Sequence, residues 1–385
     1  CILMKKNIFY WSPCLNPVGT VKSTLNSAIS LKKFNKEYDV SIINACGEWD
    51  KYQEILKKNS INLVNINFKY FEILPKKGFL GSRLSYIIIF LLSFFPLFFL
   101  LKKKTPDTLI LHLVTSLPIL LLNLFEFKTD FILRISGYPK LNIIRRYFWK
   151  ISSKRIKLIT CPTLDLKKEL NNQNIFKNNK IYYLPDAIIS IKELNKKLNI
   201  PNDYQITKNK RIILSVGRLT RQKNFSYLIR EFSDFLKINN EFILIILGEG
   251  EEREKLTLLI NEKKLENKVF LLGFTENVYS YMKKSEIFIL SSLWEEVGFA
   301  MVEASMCNTY IISSDCPNGP KEFLNNGNNG ILFKNNVYKS ILKSLITYCK
   351  LENKKIFLDK VQLKKNARKY TIFKHYLELH KILKV

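Results

Sequence analysis

The chain has 385 residues, more than one hydrophobic core usually organises, so two domains of similar size are expected. Hydrophobic residues make up 47% and aromatic residues 13%, enough for both to fold, while the formal net charge of +29 calls for an anionic partner: nucleic acid, a membrane surface or a phosphorylated substrate. Lys, Asn and Ile are abundant together, as an AT-rich genome produces, so part of that charge is compositional drift. The seven cysteines (1, 14, 46, 161, 307, 316 and 349) are odd in number and scattered, which excludes a disulfide framework and a CxxC metal or redox motif and points to a reducing compartment.

The opening CILMKKNIFYW has a short apolar run with no region of small residues after it, so it reads as a first strand and not as a secretory signal. From residue 7 to 190, apolar strands alternate with helical stretches: NIFYW, VKSTLNSAISLKKF, DVSIIN, INLVNINF, a long apolar segment, TLILHLV, LPILLLNLF, FILRIS, LNIIRRYFWK, LITCP and KIYYLP. This is the βαβα pattern of a parallel sheet covered on both faces. The long segment LSYIIIFLLSFFPLFFLL, residues 84–101, is flanked by Arg83 and by Lys102, Lys103 and Lys104, and its length licenses a transmembrane helix. Pro96 near its centre, and its place before TLILHLV where a crossover helix belongs, favour a helix half-buried in the domain that dips into the membrane surface with its lysines on lipid phosphates.

Residues 191–209 are polar and rich in Asn and Lys, and predict the linker between an N-terminal domain of residues 1–190 and a C-terminal domain of 210–385, whose last helix packs back on the first. The second alternating series is RIILSVG, FSYLIREFSDFLK, FILIILG, EEREKLTLLINEKKL, VFLLG, VYSYMKK, EIFILSS, a helix carrying Glu303, YIISS and a lysine-rich helical portion. The fold class predicted is α/β, two Rossmann-like doubly wound domains facing a cleft, with ligands at the carboxyl ends of the strands.

The segment from residue 291 to 323 carries the most chemistry. A strand, Ile287 to Leu290, feeds a short loop and then a helix from about Gly298, where the missing Cβ lets a ligand approach the backbone. Amides near Phe299 and Ala300 would face a phosphate. Glu295 before the helix can accept bonds from sugar hydroxyls, and Glu303 inside it can hold the two hydroxyls of a ribose. Taken alone, the same residues read equally as two solvated glutamates flanking a buried helix.

With Glu295, seven residues, Glu303, the intervening Gly298 and the following Ala304, the chain resembles glycosyltransferase family 4, retaining enzymes of the GT-B fold. The run from LWEEVGF to DCPNGPKE is similar to enzymes that build bacterial surface polysaccharides, lipopolysaccharide core or lipid-linked oligosaccharides. The resemblance implies that Arg218 and Lys223, after the strand RIILSVG and its Gly217, meet the donor diphosphate; a departing nucleoside diphosphate needs such cations. Gly248 and Gly250 match the family's second glycine turn, and Phe270 and Gly273 lie where its enzymes meet the nucleotide base, although a buried strand end explains the last two as well. In the N-terminal loop Pro17-Val18-Gly19-Thr20 only Gly19 keeps the family's glycine, and Val18 replaces the other. The family's histidine after the strand FILRISG is replaced by Ser136 and Gly137. His112, on the preceding strand, reads either as a ligand in the same cleft or as a satisfied core residue, and Arg134, Tyr138 and Lys140 as contacts to a phosphorylated acceptor or as caps on the sheet.

The resulting expectation is a hexosyltransferase that moves a sugar, with retention, from a nucleotide-sugar donor, UDP-linked by family frequency, to a glycan or lipid-linked acceptor. No cofactor is implied: the chain has no Asp-x-Asp, so a required metal ion is not expected. The site would lie in the cytoplasm, peripherally at the inner face of the cytoplasmic membrane. A nucleic-acid binding protein is the first rival, although no nucleic-acid module is recognisable. A sugar-nucleotide hydrolase or phosphorylase on the same fold is the second.

Overall fold

A computed structural model describes residues 5–15, 19–76, 79–139, 141–177, 180–200 and 210–385. Two compact units emerge, one made of residues up to Ile188 together with Ile372–Val385, the other of Ile189–Thr371.

The first unit contains β1 (Lys6–Trp11), α1 (Gly19–Phe34), β2 (Tyr38–Asn44), α2 (Gln53–Lys58), β3 (Asn62–Asn65), α3 (Phe79–Lys104), β4 (Thr108–Leu111), α4 (Ser116–Leu124), β5 (Asp130–Arg134), α5 (Ile143–Ser152), β6 (Leu158–Cys161), α6 (Leu164–Asn172) and β7 (Ile181–Tyr183). Its seven strands form a parallel sheet in the order β3-β2-β1-β4-β5-β6-β7. The strands read as unbroken apolar runs because helices cover both faces, and their two-residue period divides the core. Phe9, Trp11, Leu109, Leu111, Phe131 and Leu133 point to one side with α3 and α4, while Ile8, Tyr10, Ile110, Ile132 and Leu158 point to the other with α1. The long apolar segment is α3, the crossover between β3 and β4, as its position predicts.

The second unit holds α7 (Ile191–Leu198), β8 (Arg211–Val216), α8 (Phe225–Leu236), β9 (Phe242–Leu247), α9 (Arg253–Glu262), β10 (Val269–Gly273), α10 (Val278–Lys284), β11 (Ile287–Leu290), α11 (Phe299–Met306), β12 (Tyr310–Ser314), α12 (Gly319–Phe323), β13 (Ile331–Phe333), α13 (Ser340–Cys349) and α14 (Asn353–Ala367). Its parallel sheet runs β10-β9-β8-β11-β12-β13. The closing helix, α15 (Ile372–Ile382), belongs to the first unit, where Tyr376, Leu379 and Ile382 join the core beside α1.

The expected linker differs from what the chain does there. Ser190 caps α7 by accepting from Glu193 N, Leu194 is buried, and Lys197 Nζ donates to Glu276 O (2.9 Å), so the first part of that stretch is a helix of the second unit. Its apolar residues, Ile191, Leu194 and Leu198, come only once per turn, too sparsely to stand out from the lysines and asparagines around them. Residues 201–209 lie outside the described residues. No disulfide forms among the described cysteines.

Candidate active site

In the second unit the strand order reverses between β8 and β11, whose chain successors lie on opposite sides of them. The loops leaving these neighbours must part, and the crevice between them is where doubly wound sheets take ligands. Here the loops are stitched together. Leu293 N donates to Gln222 O (2.8 Å), Gln222 Nε2 to Trp294 O (2.8 Å) and Ser291 Oγ to Lys223 O (2.7 Å). At the centre, the Lys223 ammonium pairs with Glu295 Oε1, which also accepts from Ser292 Oγ (2.6 Å). The carbonyl of Ser292 is held in turn by Ser314 Oγ (2.7 Å) and Asn335 Nδ2 (2.5 Å). A carboxylate and an ammonium, both mostly withdrawn from solvent, are therefore fixed at the switch point by strands far apart in sequence. Arg218, on the same loop as Lys223, is exposed and its side chain has no partner among the described residues.

The glycines serve this geometry. Gly248 sits at φ +139°, and a Cβ there would fall 1.9 Å from Gly217 O, so the turns after β8 and β9 lie backbone against backbone. Gly217 in turn leaves room for the Lys223 stem. Gly250 packs against the Leu219 backbone, and Gly273 O accepts from Gly248 N (2.8 Å). Gly217, Gly248, Gly250 and Gly273 are thus brought together, whereas Phe270 is half-buried on the edge strand β10.

Gly298 caps α11 at φ +80°, a left-handed conformation that a side chain resists; the glycine is required by the backbone and is itself buried. Met301 N and Val302 N donate to Gly298 O (2.9 and 3.2 Å), which leaves the half-buried Phe299 and Ala300 amides ahead of the helix's own ladder, where an anion is favoured. Glu303, on the same helix, is buried and accepts from the Tyr279 hydroxyl (3.1 Å). Burial, and then the charge of Glu303, hold the Tyr279 pKa far above its ordinary value, so it remains a donor. Sequence reasoning missed Tyr279, Ser292, Ser314 and Asn335. A serine pair directly after an apolar strand was the one local signal, and it marked Ser291 and Ser292 only.

In the first unit, Gly19 begins α1 and is exposed, while Pro17, Val18 and Lys140 lie outside the described residues. His112 follows β4 at that sheet's own switch point, beside β1. Its amide donates to Trp11 O (2.9 Å) and its ring lies 5.9 Å from that of Tyr10. Burial, then the charges of Arg134 and His375, push its pKa well below the ordinary range, and Nδ1 has no hydrogen-bond partner among the described residues. Arg134 corrects the expectation of an acceptor contact. It is buried, ion-paired with Asp186 (2.6 Å) and bonded to Leu184 O (3.2 Å), because a cation on an interior strand requires a compensating anion. Asp186 also accepts from Ser23 Oγ (2.5 Å), and nearby His375 bridges Ser27 Oγ (2.8 Å) and Pro185 O (2.6 Å). Ser136 is half-buried and Tyr138 exposed on the segment after β5.

Comparison with known proteins adds to this geometry. Residues 168–370 match the family described as glycosyl transferases group 1. An uncharacterized glycosyltransferase of Methanocaldococcus jannaschii is 31% identical over 315 residues, which cover 76% of this chain and 73% of that protein. The N-acetylgalactosamine-N,N'-diacetylbacillosaminyl-diphospho-undecaprenol 4-alpha-N-acetylgalactosaminyltransferase of Campylobacter jejuni is 33% identical over 175 residues, 42% of this chain and 47% of that one. Among solved structures, HepE of Anabaena in complex with UDP and glucose superposes with a TM-score of 0.71 at 13% identity, covering 98% of this chain and 99% of that one, a likeness of fold.

Proposed function

The chain belongs to the glycosyl transferases group 1, and on that premise we propose that it moves a hexosyl unit, with retention of anomeric configuration as in family 4, from a UDP-linked donor to a glycan or lipid-linked acceptor. The product would enter surface polysaccharide, lipopolysaccharide or oligosaccharide synthesis at the inner face of the cytoplasmic membrane. The carrying observation is the Lys223–Glu295 pair fixed at the β8/β11 switch point with the unpartnered Arg218 on the same loop. Departure of a nucleoside diphosphate builds negative charge, and a guanidinium fork, an ammonium and the Phe299 and Ala300 amides are the groups that stabilise it. Glu295, oriented by Ser292, would accept from sugar hydroxyls, and Glu303, oriented by Tyr279, from the ribose. In this reading the cations are side chains, assisted by neutral helix-end amides, so turnover persists in chelator.

The Campylobacter relative, whose name specifies a diphospho-undecaprenol acceptor, supports a lipid-linked acceptor here, and the UDP in the Anabaena structure supports the choice of carrier. The test is thermal stabilisation of the whole chain by a panel of nucleoside diphosphates and sugar nucleotides, repeated with Glu303→Ala. Stabilisation by uridine nucleotides, lost in the variant, is expected. A wild-type protein that no nucleotide stabilises would remove the basis of the proposal, and donor turnover that ignores every glycan acceptor would turn it toward hydrolysis.

A further inference from the structure

The helix α3 is apolar all round, but its two sides have different fates. Ser85, Ile89, Ser93, Leu97 and Leu101, one turn apart, are buried against the sheet. Ser93 accepts from Asn67 Nδ2 (3.1 Å) and Ser85 donates to Pro75 O (2.7 Å), so the inner side is tied along its length. The outer side presents Leu80, Leu84, Ile87, Leu91, Phe95 and Phe99, all exposed. The helix is long and apolar enough to cross a membrane, yet only 28% of its most apolar stretch is buried. A crossing would strip the inner side from the core it completes.

Next to it the same thing happens again. On one face of the sheet α3 packs on α4 and α4 on α5. Exposed Leu124 ends α4, and α5 turns Ile143, Ile144, Tyr147 and Ile151 outward, with Ile143 at 88% and Ile144 at 78% exposure. No acidic residue occurs in α3, α4 or α5, while Lys103 and Lys104 close α3 and Arg146, Lys150, Lys154 and Arg155 lie along or just beyond α5. Adjacent outward apolar residues on this scale are uncommon on soluble monomers. With positive charge and no acid within the three helices, the exposed Glu126 lying just beyond α4, they suit an apolar layer capped by anions.

We propose that the outward sides of α3 and α5, with Leu124 between them, form a docking surface for an anionic phospholipid leaflet, the apolar side chains entering the acyl boundary and the lysines and arginines resting on headgroup phosphates. This surface lies wholly in the first unit and does not depend on the transferase reading. Its occupant is a lipid surface and not a segment of bilayer-spanning chain.

Vesicle flotation of the full chain tests it, with phosphatidylcholine alone and with phosphatidylcholine mixed with phosphatidylglycerol, at low and high salt. Flotation with the mixed vesicles only, weakened by salt, is expected. Lys103→Gln with Lys104→Gln should lower the partition coefficient about 5-fold per lysine, and Ile143→Ser with Ile144→Ser at least about tenfold. All four positions are exposed, so the variants should keep the wild-type circular dichroism and nucleotide stabilisation, which reads the second unit separately. Binding indifferent to lipid charge and to these substitutions would overturn the proposal. So would retention in vesicles after alkaline carbonate, which marks a spanning helix, or absence from vesicles together with a dimer that these substitutions dissociate.

Discussion

Lys223 and Glu295, 72 positions apart in the chain, form an ion pair across the point where the second unit's strand order reverses. Ser291, on the Glu295 loop, holds the Lys223 carbonyl, Gln222, on the Lys223 loop, holds the Trp294 carbonyl, and Ser292 orients the Glu295 carboxylate from within its own loop. Lys223→Met strands a largely buried carboxylate with a single serine donor. The expected cost is about 1–3 kcal/mol of stability together with a fall in transfer rate of about 100-fold or more. Adding Glu295→Gln should recover stability in urea denaturation without recovering transfer, because the charge proposed to stabilise a leaving diphosphate is gone.

Two neighbouring glycines should fail in different ways. Gly248→Ala drives a Cβ to 1.9 Å from Gly217 O, backbone that cannot retreat, and unfolding by urea should register a loss of about 3 kcal/mol or more, or no soluble protein. Gly217→Ala meets the flexible Lys223 stem instead, with Cε 2.9 Å away. That variant should fold, with the ammonium displaced and nucleotide stabilisation diminished.

Tyr279 positions Glu303 through one hydrogen bond of 3.1 Å. Tyr279→Phe should cost about 1 kcal/mol in stability and raise the dissociation constant of the stabilising nucleotide several-fold, measured by calorimetric titration. An unchanged affinity would mean that Tyr279 does not position Glu303 for the nucleotide.

Acid stability should be governed in part by buried histidines. Burial chiefly, with the charge of Arg134 adding to it, lowers the His375 pKa from 6.5 to about 4, against a raising hydrogen bond to the Pro185 carbonyl. Between those values the unfolded chain holds a proton that the folded chain refuses. The contribution of His375 is therefore full above pH 6.5 and is lost as pH falls toward 4, a change on the order of 3 kcal/mol. His112 is shifted in the same direction. Denaturation midpoints across that window should fall steeply for the wild type and less steeply for His375→Asn.

Arg134→Met should leave Asp186 in the interior with Ser23 as its remaining side-chain donor, and a destabilisation of about 3–5 kcal/mol is expected in urea. Tyr138→Ala, on an exposed residue, should leave stability nearly unchanged.

Local pattern determined much of this protein. The alternation of short apolar runs with amphipathic stretches predicts two parallel sheets, because a strand covered on both faces must be apolar throughout. The strand Ile287–Leu290 and the helix that starts after Gly298 were legible for a related reason: a left-handed cap and the apolar run before it act within a few residues. Position in a βαβ unit likewise identified α3 as a crossover helix. Tertiary structure alone decided the rest. Ser314 and Asn335 reach the carbonyl of Ser292 from later strands and loops, and Tyr279 reaches Glu303 from a different helix, so nothing in their own neighbourhoods marked them. Arg134 looked available until the fold brought Asp186 to it across 52 residues. Nor did apolarity tell which side of α3 would be covered, since both sides are apolar and only the sheet beneath selects the buried one. Sequence specifies what each segment can form, through period and backbone conformation; which side chains meet, and therefore which charges are spent internally and which remain for a ligand, follows from packing between segments that the chain holds far apart.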